Sequence, residues 1–417
     1  MGSTLNANGF GYNKGYLTSV AHRKRVTGAD YNLSGDNLSY TYEYQKELFS
    51  NLDYPDNRFR KTALAGKFES ICTYDSLGRS TGRIFNRIGV GTMFAETYKY
   101  KDAVDANGTK TGTTGYVSSA SCLGNGPTDY YSYSYDRNGN ITQIAGLQDA
   151  VTYTYDGLNR LTSETAGGNT TEWAYDTGGN ITNKKVKNSS GAVISNIVYE
   201  YGQNGWKDRL TNRKTYDGGG SLLSEESVTY DNCGNPVFYM GANLLTWTRG
   251  RTLESYENNY IMCNYAYNAG GYRVSKTVQT KGGNTVTHKY WLEGSRILKE
   301  TRIGGSTNET LLYYYDATGV CGMNYNGTDY YYRKNIQGDI THILDTSGNV
   351  VARYVYERMG LLHHHREHWK YSRGEPVQVP RILLGRRDGL VLPEQPVLRS
   401  RSGQVYFAGQ HRIHGAA

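Results

Sequence analysis

The chain has 417 residues and a formal net charge of +8, with 40 Tyr and 51 Gly beside only 8 Phe and 7 Pro. No run of about 18 apolar residues occurs, which argues against a membrane-spanning helix, and the opening MGSTLNANGF lacks the basic and apolar segments of a secretory signal. The excess charge does not mark a nucleic-acid binder: residues 358–417 hold ten Lys or Arg against four Asp or Glu, so the first 357 residues carry a net of only +2.

Abundant Tyr and Gly with scarce Pro favours strands joined by tight turns, so the expected fold is all-β. Residues 1–70 read as degenerate repeats, of which YNLSGDNLSYTYEY is the most recognisable. Residues 71–357 are the repeat region proper. It opens with CTYDSLGRSTGR from Cys72 and then holds YSYDRNGNITQI from Tyr133, YTYDGLNRLTSE from Tyr153 and WAYDTGGNITNK from Trp173, each of these three twenty residues after the last. Looser copies follow as VTYDNCGNPVFY from Val228, YAYNAGGYRVSK from Tyr265 and YYYDATGVCGMN from Tyr313.

Each copy predicts a hairpin. Tyr153 and Tyr155 are two residues apart and leave one face of a strand, while Thr152 and Thr154 leave the other. Asp156 opens the turn, and Leu161 starts the returning strand. Asp at the first turn position accepts from backbone two residues on, and Gly at the fourth relieves the left-handed backbone there. The turn residues so identified are Tyr74, Asp75 and Gly78; Tyr135, Asp136 and Gly139; Tyr155 and Asp156, with Asn159 in the Gly position; Tyr175, Asp176 and Gly179; Tyr230, Asp231 and Gly234; and Tyr315 and Asp316. Their repetition at one turn position favours a structural role over a catalytic one. A lone hairpin is marginal in water, so the copies are expected to stack into a spiralling antiparallel β-sheet, with aromatic pairs contributing about 0.2–1 kcal/mol each.

These motifs resemble the Rhs or YD-repeat family, whose unit reads much like Y-x-Y-D-x-x-G-R-L. The resemblance covers residues from about 70 to 356, and YWLEGSRILKET and YYYRKNIQGDITHILDTSGNVVARYVY look like the family's later segment. It implies a β-shell that encapsulates a C-terminal toxin or effector, absent from this chain, in a protein that is secreted or displayed at the cell surface. The alternative is a glycan-binding or cell-wall-binding module using exposed aromatic rows, with Trp173 and Trp247 as the residues to test. No cofactor, metal ion, catalytic residue or nucleic-acid partner is expected. Cys72, Cys122, Cys233, Cys263 and Cys321 are too dispersed for a zinc site or a disulfide framework.

Composition breaks after residue 357, beyond which lie six of the nine His and four of the seven Pro. His364 to His368, HHREH, fits the H-x-x-E-H pattern of inverted zinc peptidases, but no third ligand accompanies it. A coding explanation fits better. One inserted nucleotide at codon 357, with suitable synonymous codons, converts YERMG to YDAWG, and the same shift through residues 361–417 yields a peptide containing RYYDPEAGRF that is similar to the family's closing motif. Residues 358–417 are accordingly read as a low-order, out-of-frame tail whose His and Arg are by-products of coding.

Overall fold

Alternation of exposure along each strand sets the architecture. Over Val151–Tyr155 the side chains run half-buried, exposed, buried, exposed, half-buried, with the Tyr153 ring at 4% exposure. The same position in the neighbouring copies holds Tyr133, Trp173, Val228 and Tyr265, and each is buried. Period-two alternation with one covered face is what a pleated strand imposes. The computed structural model describes residues 4–13, 16–26, 38–46, 55–124, 128–146, 150–203, 205–239, 243–356 and 362–363. The expectations for the tail, HHREH included, lie outside these residues.

The described residues form 31 strands and no helix. Successive strands pair antiparallel: Val151–Tyr155 with Leu161–Ala166, that strand with Asn169–Tyr175, then Ile181–Lys187, then Val193–Gln203. The hairpins at Tyr74, Tyr155, Tyr175, Tyr230 and Tyr267 carry a register shift immediately before that residue, as between Thr154 and Tyr155 or Ala174 and Tyr175. A type I turn followed by a left-handed residue makes such a one-residue bulge, and the bulge sharpens the local twist.

The chain divides into two compact units, one of residues 1–133 with 312–353, the other of residues 134–311 with 354–417. The second unit is organised around a stripe of buried side chains that includes Trp173, Ile197, Tyr199, Leu210, Val228, Tyr239 and Tyr265. Its residues come from successive hairpins, so the apolar face continues from repeat to repeat.

The first unit adds a feature that the repeat alone does not imply. Strands between residues 38 and 133 meet strands between 312 and 353 side chain to side chain over a shared core. Phe68, Phe85 and Phe94 stack at 5.1 and 5.0 Å between ring centres, and Tyr331 and Tyr314 lie 5.5 Å from Phe85 and 6.3 Å from Phe68. All three Phe are fully buried. A Tyr there would need a partner for a buried hydroxyl, which is why the scarce Phe gathers at this point in a Tyr-rich chain.

Candidate functional site

The repeat turn is the recurring built feature of the molecule. In the copy at residues 155–161, the Asp156 carbonyl accepts from the Asn159 amide at 3.0 Å, and the Asp156 amide donates to the Arg160 carbonyl at 3.0 Å. The carboxylate then takes the amides of Leu158 and Arg160, both at 2.9 Å. Asp75, Asp136, Asp176 and Asp231 make the same backbone pair with Gly78, Gly139, Gly179 and Gly234 and with the residue that follows each. These glycines have φ of 79°, 85°, 89° and 83°, and Asn159 adopts 60°. A side chain at such φ costs about 1–2 kcal/mol, least for Asn, which bonds locally. The Asn159 side-chain oxygen here accepts instead from the Asn138 and Asn140 side chains of the preceding turn, at 2.9 and 2.8 Å.

The residue after the glycine position binds two hairpins. Arg160 Nε donates to Asp156 at 2.6 Å, its Nη1 reaches the Asp176 carbonyl at 3.1 Å, and its guanidinium lies 4.7 Å from the centre of the Tyr175 ring. Arg79 repeats the arrangement with Asp75, Thr114 and Tyr100. Where Asn replaces Arg, Asn180 bridges Asp176 and Asp208, and Asn235 bridges Asp231 and the Gly250 carbonyl. These bonds hold the turn carboxylates below the ordinary Asp range: the Asn140 amide is the main cause at Asp136, the Arg160 backbone amide at Asp156 and the Asn235 side chain at Asp231. A carboxylate kept ionised by turn amides is a poor general acid.

A Tyr near the end of many strands reaches back to the strand before its own. Tyr155 Oη donates to the Ile141 carbonyl at 2.8 Å, Tyr175 to Leu161 at 2.7 Å, Tyr201 to Ile181 at 2.8 Å, Tyr230 to Leu210 at 2.9 Å and Tyr267 to Leu253 at 2.8 Å. Tyr74 and Tyr100 do the same toward Phe59 and Ser80. The accepting carbonyl lies on the strand immediately before the Tyr's own. The phenol therefore lies on apolar neighbours while its tip satisfies a carbonyl of the preceding strand. Phe cannot do both, which accounts for the Tyr excess.

Sequence reasoning missed several turns of the same geometry, at Asp105, Asn188, Asp217, Asn335 and Asp345. Their signal was the D/N-x-x-G spacing without a preceding Y-x-Y. Conversely, Asp316 departs from its set. In Thr307–Asp316 the alternation is displaced by one residue, so Tyr314 and Asp316 are buried while Tyr313 and Tyr315 are half-buried. The Asp316 side chain is fully buried and accepts from Arg83 at 2.6 Å, from Ser70 at 2.8 Å and from the Thr318 amide and hydroxyl. Arg83, at 2% exposure, also forks onto Glu96 at 2.9 and 2.7 Å. Burial acts to raise the Asp316 carboxyl, but Arg83, Lys334, Thr318 and Ser70 together outweigh it and hold the group below the ordinary Asp value.

Little in the described residues suggests chemistry. No group of three or more His, Cys, Asp or Glu is placed to hold a metal ion among them. Burial pushes the Cys72 thiol up to about 11 and Cys122 to about 12, so both are protonated at neutral pH. Trp173 is buried within the second unit's apolar stripe, and the Trp247 indole donates to the Pro236 carbonyl at 2.7 Å. Trp173 therefore lacks the open ring face that the glycan alternative assigned to it, while Trp247 is half-buried against the same stripe.

The RHS Repeat family profile matches residues 135–167 and 155–193, the stretch in which the turn and the reaching Tyr recur most regularly. This stretch of the chain is built of RHS repeats. The chain is 27% identical over 282 residues to the tRNA3(Ser)-specific nuclease WapA of Bacillus spizizenii and 28% identical over 283 residues to the tRNA nuclease WapA of Bacillus subtilis strain 168. Each match takes in 56% of this chain and 11% of the relative, so the chain spans about a ninth of the length of these proteins. Among solved structures, the crystal structure of TcdB2-TccC3-Cdc42 is similar over 83% of this chain and 20% of that one, at 14% identity and a TM-score of 0.49.

Proposed function

We propose that this chain is a length of wall that encloses a toxin or effector carried C-terminally in the full protein, and that the protein is secreted or displayed at the cell surface. The observation that carries the reading is the run of Tyr hydroxyl bonds from each hairpin to a carbonyl of the one before it. Together with the Arg and Asn bridges between turns, these bonds join units that are marginal alone into a continuous sheet. Polar turns, ionised carboxylates and protonated thiols suit containment better than catalysis. On this reading, any nuclease activity like that named for the relatives belongs to a segment outside the repeats. The test is to produce the chain joined to the effector segment encoded with it and challenge it with protease. Survival of the effector segment under conditions that digest it alone supports enclosure, and equal digestion of the two argues against it.

A further inference from the structure

The first unit holds a second buried polar cluster, separate from the repeat turns. Arg333 stands opposite His342 in the antiparallel register, and His342 opposite Arg353, so three basic side chains form a row across adjacent strands. Facing them is a second row in which Glu96 stands opposite Cys122 and Cys122 opposite Asp129. The two rows come from chain segments about two hundred residues apart and touch through side chains. Arg333 Nη2 donates to Asp129 at 2.6 Å and to the Cys122 carbonyl at 3.4 Å, and His342 Nδ1 lies 3.6 Å from the same Asp129 oxygen. A cavity of about 20 Å³, room for a single water, lies beside them, lined in part by Glu96, Cys122, Asp129, Tyr131 and Lys334.

Charge is unevenly matched here. Glu96 is engaged by Arg83, which leaves Asp129 as the carboxylate facing Arg333 and His342. Arg333 and His342 are 1% and 2% exposed, and His342 Nε2 has no hydrogen-bond partner among the described residues. We propose that the contact between Asp129 and the Arg333–His342–Arg353 row is an acid-released latch, which lets the strands of residues 328–353 part from those of residues 91–133 as His342 takes up a proton.

Protonation in place would bury a third positive charge beside two arginines. Burial first, then Arg333 and Arg353, push the closed-state imidazole down to about 3, whereas a solvated histidine titrates near 6.5. A group with a lowered closed-state value binds its proton in the opened state first. The ratio of opened to closed latch therefore rises by up to about tenfold per pH unit below 6.5. Asp129 acts in the opposite sense, since burial raises its carboxyl and protonation relieves that cost, so the window from pH 6.5 to 5 reports His342 most cleanly. Tyr131 and Cys122 are both held further up by burial and stay neutral throughout. The latch stands independently of whether the wall holds a cargo.

Hydrogen exchange of the full chain at a series of pH values, corrected for intrinsic amide rates, tests it. Segments 129–133 and 340–353 are expected to lose protection by about tenfold between pH 6.5 and 5, while segment 151–187 does not. His342→Gln should abolish that loss, and Arg353→Gln, which keeps the imidazole but removes one neighbouring charge, raises the closed-state value, so the loss should still begin near pH 6.5 but level off at a higher pH than in the parent chain. An unchanged pH profile in either variant, or no loss in the parent chain, overturns the proposal.

Discussion

At the scale of the residue, tyrosine does two jobs that no other side chain combines. Its ring covers apolar surface, and its hydroxyl satisfies a backbone carbonyl one hairpin away. Tyr175→Phe keeps the ring and loses the 2.7 Å bond to the Leu161 carbonyl, so it should destabilise by about 0.5–1.5 kcal/mol in urea denaturation. Tyr260→Phe, at a ring 76% exposed, is expected to change stability by less than about 0.5 kcal/mol. Arg83 lies at the other extreme. Arg83→Met strands the carboxylates of Glu96 and Asp316 inside the first unit, with side-chain exposures of 5% and 0%, and should cost about 3–5 kcal/mol by the same measurement. Replacing all three with apolar residues of similar volume should recover most of that loss, because the expense lies in the unpaired charge.

At the scale of the element, the turn and its bulge govern the hairpin. Gly139→Ala forces a Cβ into a left-handed backbone and should lower stability by about 1 kcal/mol, whereas Gly139→Asn should cost less, as Asn159 shows in the next repeat. The turn carboxylates also fix a pH dependence. Their folded values lie below the ordinary Asp value near 3.9, so their contribution is complete above it and is lost as pH falls through the lowered values. Asp156→Asn should therefore lower stability by a constant amount above about pH 5 and flatten the profile below about pH 4, where the two chains converge, which a denaturation series against pH would read.

This element was the part most legible in the sequence. Y-x-Y-D-x-x-G specifies a strand phase, a turn type and a left-handed position using neighbours alone, and Tyr153, Asp156 and Asn159 sit as local rules require. The destinations of the side chains were less legible. The reach from Tyr201 to Ile181 depends on a partner twenty residues away, on the neighbouring strand. Asp316 shows the limit most clearly, because the same letters lie on a strand whose alternation is displaced by one residue, and that displacement is set by packing against Ser70 and Arg83 more than two hundred residues earlier. His342, Arg333 and Asp129 carry no motif, and only the registers of two distant sets of strands bring them together.

At the scale of the whole molecule, the account rests on mutual support between hairpins. Each is too small to persist alone, and cross-hairpin Tyr bonds with Arg and Asn bridges make neighbours interdependent. A repeat array built this way should lose structure over several hairpins when its lacing is removed, without any change in local turn chemistry. The most direct test replaces Tyr155, Tyr175, Tyr201, Tyr230 and Tyr267 together with Phe and follows hydrogen exchange over residues 135–267. The account predicts broad loss of protection across that span, with the amides around Phe68, Phe85 and Phe94 remaining protected; full protection of residues 135–267 in the five-fold variant would contradict it.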